Sequence, residues 1–287
     1  MRRGHRSITT LALTFLLAWA LATGSAVAED FLQQIGQGSV NWTKGTIQGK
    51  GIGAPPEKYY GKPNARPMAI RAAKVVALRN ILETVNGVRV DSETVVRDFA
   101  VDSDVIRSQV QGIVRGARQV NVEYMSDGTV EVVMEISMFG EFTSALLPPS
   151  VGSMPTAVIS PPASDGTASS APASAEYTGL VIDARGFGVR PAMAPKVMDE
   201  SGQEVYGSAF VSREYAVQQG MTGYAKDLDG ARGNDRVTNN PLVVKALRVE
   251  GPGKCDLVIS DMDAAMLRGA ADTRGFLEKC RVMIVVD

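Results

Sequence analysis

The most regular alternation of hydrophobic and polar positions runs from Arg66 to Met138. Ile70, Ala73, Ala77, Ile81 and Val85 recur at spacings of three and four, which places them on one face of a helix. Pro67 suits the first helical turn, where a missing N–H is no loss, and Gly87 stands where the helix should stop. Lys74 intrudes on that face and is expected to carry its ammonium out to water. Further on, Val120, Val122 and Tyr124 alternate before Asp127-Gly128, and Val130, Val132, Met134 and Ile136 alternate after it. The pattern predicts two strands about a two-residue type I′ turn. A hairpin alone is marginal in water, so the helix is expected to cover it and make the core of a small α+β unit.

The flanks carry weaker periods. Residues 45–53, GTIQGKGIG, predict a first strand whose glycines admit another backbone closely. Pro55-Pro56 ends it, and Tyr59-Tyr60 fall in a loop. The alternating charges of Val88 to Ala100 predict a short strand and a solvated turn. Asp102 or Ser103 then caps a helix on which Ile106, Val110 and Ile113 share a face. Phe139 to Leu147 reads as an exit segment.

Residues 148–175 hold Pro, Ser, Ala and Gly with one charge, Asp165, and no apolar period, the composition of a linker. A second unit, residues 176–287, follows. TGLVIDA, LVVKALRV, DLVIS and RVMIVV predict strands, KVMDESGQEVYG a hairpin, and SREYAVQQG a short helix ended by Gly220. Ser260 with Asp263 forms a capping box for the helical stretch MDAAMLRGAADTRGFLEK. Strand–helix–strand of that length predicts a parallel crossover from DLVIS to RVMIVV within one sheet. The class expected is therefore α+β: a helix on an antiparallel sheet at 29–147, a linker, then an α/β unit with a mixed sheet.

Composition narrows the chemistry. Arg2, Arg3 and Arg6, the apolar run Leu11 to Leu21 and Ala26-Val27-Ala28 have the build of a secretory signal, residues 1–28. No later segment is long and apolar enough to anchor the chain, and no cysteine near the cleavage site offers a lipid attachment. Cleavage would remove three Arg and no acid, taking the formal charge from −1 to −4, a balance that gives no reason to expect nucleic acid. His5 is the chain's one histidine and lies inside the signal. The exported chain then lacks imidazole, which excludes Ser-His-Asp and Cys-His mechanisms and His-ligated zinc.

Candidate sites are few. Cys255 and Cys280 each precede a strand of the expected crossover, and two cysteines in an exported chain predict a structural disulfide. Gly186-Phe187-Gly188 lacks the third glycine of a dinucleotide loop and reads as a turn. Asp183, Asp261, Asp263 and Asp287 are a candidate set for a hard cation at one sheet end, although Asp261 and Asp263 are already explained by helix capping. Trp42, Tyr59 and Tyr60 are the aromatic residues offered for ligand or partner contact, with a core role the plainer reading of Trp42. No catalytic residue, metal site or cofactor is assigned.

One resemblance adds to this. The segments AIRAAKVVALRNILE at 69–83, GVRV at 87–90, GIVRGA at 112–117 and SDGTVEV at 126–132 are similar to the LPP-twenty lipoprotein family, which includes the flagellar envelope proteins FlgP and FlgT. The likeness covers about residues 40–140. It implies a small α+β domain of the outer envelope, often in rings or disks around a flagellar motor. The lipobox cysteine of many relatives is absent here. The expectation is thus an exported structural or assembly protein of the periplasm or outer-membrane periphery, not lipid-anchored. It would act by contact with envelope or flagellar basal-body proteins, or with copies of itself. A module binding peptidoglycan or another envelope polymer is the alternative, and a carboxylate- or metal-dependent enzyme in the second unit comes after it.

Overall fold

The computed structural model describes residues 29–147, 151, 177–269 and 273–287. The expected signal at 1–28 lies outside these residues, as does the expected linker apart from residue 151. The fold is α+β, with an antiparallel sheet under a helix in the first unit and two further sheets, one of them mixed, in the second.

In the first unit, β1 (Leu32–Ile35), β2 (Gly38–Asn41) and β3 (Thr46–Gly53) form a meander. Helix α1 (Ala65–Asn86) follows, then α2 (Val96–Asp102), α3 (Asp104–Arg115), β4 (Arg118–Tyr124), β5 (Val130–Ser137) and α4 (Glu141–Leu146). The strand order is β1-β2-β3-β5-β4, antiparallel throughout. The β1–β2 hairpin adds to the elements expected from the hydrophobic pattern. Its two-residue loop opens with Gly36 at φ 59°, a signal that was present in the sequence.

The join between α1 and the sheet is made by small residues. A Cβ on Gly49 would lie 2.7 Å from the Ala77 carbonyl oxygen, one on Gly51 2.2 Å from that of Ala73, and one on Gly53 2.3 Å from that of Ala69. The helix therefore rests on β3 and β5, with Ala69, Ala73, Ala77, Ile81 and Val85 buried against them. Ile70, assigned to the core by its spacing, is only half-buried, because the alanine row facing the glycines sets the rotation. Lys74 is half-buried and has no carboxylate at ion-pair distance among the described residues.

The hairpin forms, but with a different turn. Gly128 donates to Met125 O at 3.2 Å, Met125 donates to Thr129 O at 3.0 Å, and Gly128 has positive φ while Asp127 does not. This is a three-residue loop of the bulged kind, not type I′. The expected core face of β4 is also corrected. Val120 and Tyr124 are exposed and Val122 only half-buried, because α1 stops over β5 and leaves the outer strand bare.

The second unit contains β6 (Gly179–Asp183), β7 (Val197–Met198), β8 (Glu204–Tyr206), α5 (Arg213–Gln219), β9 (Gly223–Ala225) and α6 (Leu228–Arg232). After these come β10 (Pro241–Lys245), β11 (Arg248–Glu250), β12 (Asp256–Val258), α7 (Asp261–Gly269), α8 (Thr273–Glu278) and β13 (Val282–Val285). One sheet is parallel, ordered β10-β6-β13-β9, and the other is mixed, ordered β11-β12-β7-β8. LVVKALRV thus divides between sheets: Ala246 N–H donates to Asp183 O and Leu247 N–H to Val258 O, so the chain changes sheet between adjacent residues.

The same division overturns the expected crossover. Strands β12 and β13 belong to different sheets and are not neighbours. Half of the capping box forms: Asp263 N–H donates to Ser260 Oγ at 3.1 Å, while the Asp263 carboxylate accepts from the Ser260 hydroxyl at 2.7 Å and not from its main-chain N–H.

The two units share one buried core, which runs from Val40 and Ile47 through Trp42 and Tyr224 to Leu180 and Ile284. Main-chain bonds cross between them: Met193 N–H to Arg89 O, Ala194 N–H to Val90 O, and Gly140 N–H to Val217 O, at 2.8 to 3.1 Å. Buried main-chain groups must be paired, so these bonds fix how the units sit. No helix of the described residues is long and apolar enough to cross a membrane.

Candidate contact surface

The aromatic residues named from the sequence do not assemble into one platform. Trp42 is 6% exposed; its indole meets Tyr224 edge-on and its Nε1–H donates to Gln33 Oε1 at 2.7 Å. Trp42 precedes the first residue of β3, whereas Tyr59 and Tyr60 follow its last, roughly 25 Å away along an eight-residue strand. Tyr59 ends a short 3-10 turn, with the ammonium groups of Lys58 and Lys62 over its ring at 5.1 and 5.7 Å, and Tyr60 is exposed.

Cys255 and Cys280 are free thiols, both buried, so the expected disulfide is not formed. They adjoin strands of different sheets, which removes the premise of parallel neighbours. Burial, with Asp256 beside it, pushes the Cys255 thiol up to about 12, and burial pushes that of Cys280 up to about 11.

The aspartates separate into two places. Asp183 is held by Arg185 through two hydrogen bonds at 2.8 and 2.7 Å, and the Asp287 carboxylate accepts from Gly186 N–H at 2.9 Å. Asp261 accepts from Glu200 N–H at 3.1 Å, and Asp263 accepts from the Ser260 hydroxyl at 2.7 Å. Among the described residues no three His, Cys, Asp or Glu side chains are grouped as a metal site would need. Gly186 and Gly188, at φ 87° and 62°, make a turn.

What the structure leaves open instead is the outer strand of the first sheet. Strand β4 pairs only with β5, so its outward N–H and C=O groups have no strand beside them. Val120 is 40%, Tyr124 57% and Met125 38% exposed, an apolar run at a free sheet edge. The register shifts between Gln119 and Asn121, so Val120 is bulged out of the ladder. The Arg66 guanidinium lies 5.4 Å over the Tyr124 ring and steadies it from the first turn of α1.

On the face away from α1 the strands carry a polar ladder. Glu135, nearly buried, accepts from Arg118 and, at 2.7 Å, from Gln48 Nε2. Burial alone would raise its carboxyl, but those two donors outweigh it and the net shift is downward. Lys50 pairs with Glu131 at 2.7 Å. The edge thus has a fixed charged backing and an unpaired rim, the arrangement used for adding a strand from a partner. Sequence reasoning missed it because alternation in β4 is identical whether or not a helix covers the strand.

A second feature is a groove of about 520 Å³ that crosses from one unit to the other, lined by Gln109, Gly112, Ile113, Ser144 and Val217 among others.

A family model described as the second domain of Treponema pallidum Tp0624 matches residues 179–287, from the first residue of β6 to the end of the chain. No curated protein matches the chain.

Proposed function

We propose that this protein is an exported structural or assembly component of the cell envelope, acting by protein–protein contact through the bare β4 edge. The observation that carries the reading is that edge: seven residues paired on one side only, with Val120, Tyr124 and Met125 exposed beside unpaired main-chain groups. It is supported by the secretory build of residues 1–28 and by the likeness of residues 40–140 to the LPP-twenty family. The same likeness supports a partner among envelope or flagellar basal-body proteins, at the periplasm or outer-membrane periphery.

The test is a deletion strain scored for swimming and imaged by electron cryotomography, complemented with wild type or with Val120→Lys/Tyr124→Lys. Loss of motility or of basal-body density, restored by wild type and not by the charged-edge variant, is the expected outcome. Normal swimming with an unaltered basal body sinks the flagellar assignment. Full complementation by the charged edge sinks the contact surface.

The alternative, binding of peptidoglycan or another envelope polymer, draws on the groove across the seam, whose open trough and polar Gln109 and Ser144 suit an extended chain. Cosedimentation of the purified protein with peptidoglycan separates the two readings.

A further inference from the structure

At the end of α5 a pocket of about 260 Å³ is lined by Tyr215, Gln218, Gln219, Asp235, Arg236, Lys279 and Arg281. Three of these carry positive charge and one negative, in a chain whose overall balance is acidic. Arg236 forms its inner wall. Its Nη1 donates to Gly220 O at 3.0 Å and to Cys280 O at 2.8 Å, and its Nη2 donates to Gln219 O. Those partners are neutral carbonyls. Among the described residues no carboxylate lies within ion-pair distance of Arg236, Lys279 or Arg281.

A guanidinium kept from water without a counter-anion is costly, and burial lowers the Arg236 pKa accordingly. The main chain nevertheless holds it in one place. Gln219 Nε2 donates to Lys279 O at 2.6 Å and ties the end of α5 to the segment that carries Lys279 and Arg281. The three cations therefore come from two stretches of chain, Arg236 on one and Lys279 with Arg281 on the other, which meet beside the end of α5 at one opening. Lys279 and Arg281 keep their side-chain donors unspent, and one Nη2 proton of Arg236 is likewise unassigned.

We propose that this pocket binds a phosphoryl group borne by a small molecule. A phosphate monoester carries about −1.5 to −2 charges near neutral pH, which matches the lining's formal +2; a carboxylate, with one charge, would leave the pocket positive. Arginine and lysine donors suit phosphate oxygens; the Tyr215 hydroxyl adds another, and Gln218 Nε2, which gives one N–H to Glu214 Oε1 at 3.1 Å, keeps its second for a tetrahedral group.

The test uses the purified full chain with inorganic phosphate and phenyl phosphate, followed by phosphorus NMR line-broadening and calorimetry, with acetate as the single-charge comparator. The expected result is saturable binding of both phosphates, roughly tenfold or more tighter than acetate. Lys279→Ala/Arg281→Ala should weaken it by about tenfold while leaving the circular dichroism spectrum unchanged. Those two side chains make no hydrogen bond within the described residues, so the variant keeps the packing, and Lys279→Arg is expected to retain binding. Absence of saturable binding overturns the proposal. So does acetate binding as tight as phosphate, or undiminished affinity in the double variant.

Discussion

The indole of Trp42 stands edge-on to the phenol ring of Tyr224, centroids 5.5 Å apart at 70°, and this pair joins the first unit to the second. Edge-to-face geometry sets the positive rim of one ring against the negative face of the other. Both ends of the contact are fixed by polar tips. Trp42 donates to Gln33, while the Tyr224 hydroxyl donates to Ala192 O at 2.8 Å and accepts from Ala192 N–H at 3.0 Å. Thr43 Oγ1 also donates to Tyr224 O at 3.1 Å. The polar tips of the ring pair are thus satisfied within the seam, while the Thr222 hydroxyl beside it is buried without a protein partner.

Removing the Tyr224 hydroxyl strands both the N–H and the C=O of Ala192. Tyr224→Phe should cost about 1–3 kcal/mol, the penalty of a buried polar group left unpaired. Trp42→Ala should cost about 3–5 kcal/mol through the cavity it opens. Urea unfolding followed by circular dichroism checks both. Because the core is continuous, one cooperative transition is expected for the wild type, and two separate transitions would contradict a shared core.

Glycines on β3 and on α3 should respond in opposite senses. Gly51→Ala would place a methyl 2.2 Å from Ala73 O and 2.4 Å from Ala77 N, both main chain, so α1 has to lift off the sheet. Overpacking of that kind costs about 1–3 kcal/mol or more. Gly112, inside α3, has nothing within 4 Å of a built Cβ, and Gly112→Ala should stabilise by about 0.5–1 kcal/mol. Thermal melts of the two variants give the comparison directly; equal shifts would remove the claim that β3 glycines exist for helix approach.

Local patterns carried the elements well and the assembly poorly. The helix at 65–86, the β4–β5 hairpin, the Ser103 cap and the Ser260 cap each rest on contacts within a short window, where spacing and capping chemistry decide. Which strand joins which sheet is a long-range choice, and the short apolar runs at β12 and β13 look interchangeable in sequence. Their placement in separate sheets also undid the inference about the cysteines. The bare edge of β4 was illegible for a related reason: exposure depends on where α1 ends across the sheet, which the alanine–glycine register sets.

Cys255 and Cys280 should be inert in the folded protein. Both are buried, with thiols held at about 12 and about 11, so almost no thiolate exists near neutral pH. Iodoacetamide without reductant is expected to leave the native mass unchanged and to add two adducts after unfolding. An intact mass two hydrogens short, with no adducts on unfolding, would mean that the cysteines are bridged.

Asp199 should make the acid limb of stability steep. Its carboxylate accepts from Ser201 Oγ at 2.7 Å, pairs with Arg268 at 2.7 Å and accepts from Gln203 N–H at 2.8 Å. These partners, the Ser201 bond foremost, hold its pKa down to about 2 against an ordinary 3.8. The unfolded chain therefore takes up this proton first as pH falls. The pair's contribution is complete above about pH 4 and is lost as pH drops toward about 2. Asp199→Asn cannot ionise, so its Tm should lie below the wild type's near neutral pH, with the gap narrowing below about pH 4 and closing near 2. Reading the difference between the two proteins cancels the titration of every other carboxylate. A gap that stays constant down to pH 2 would show that the Asp199–Arg268 pair contributes nothing through its charge.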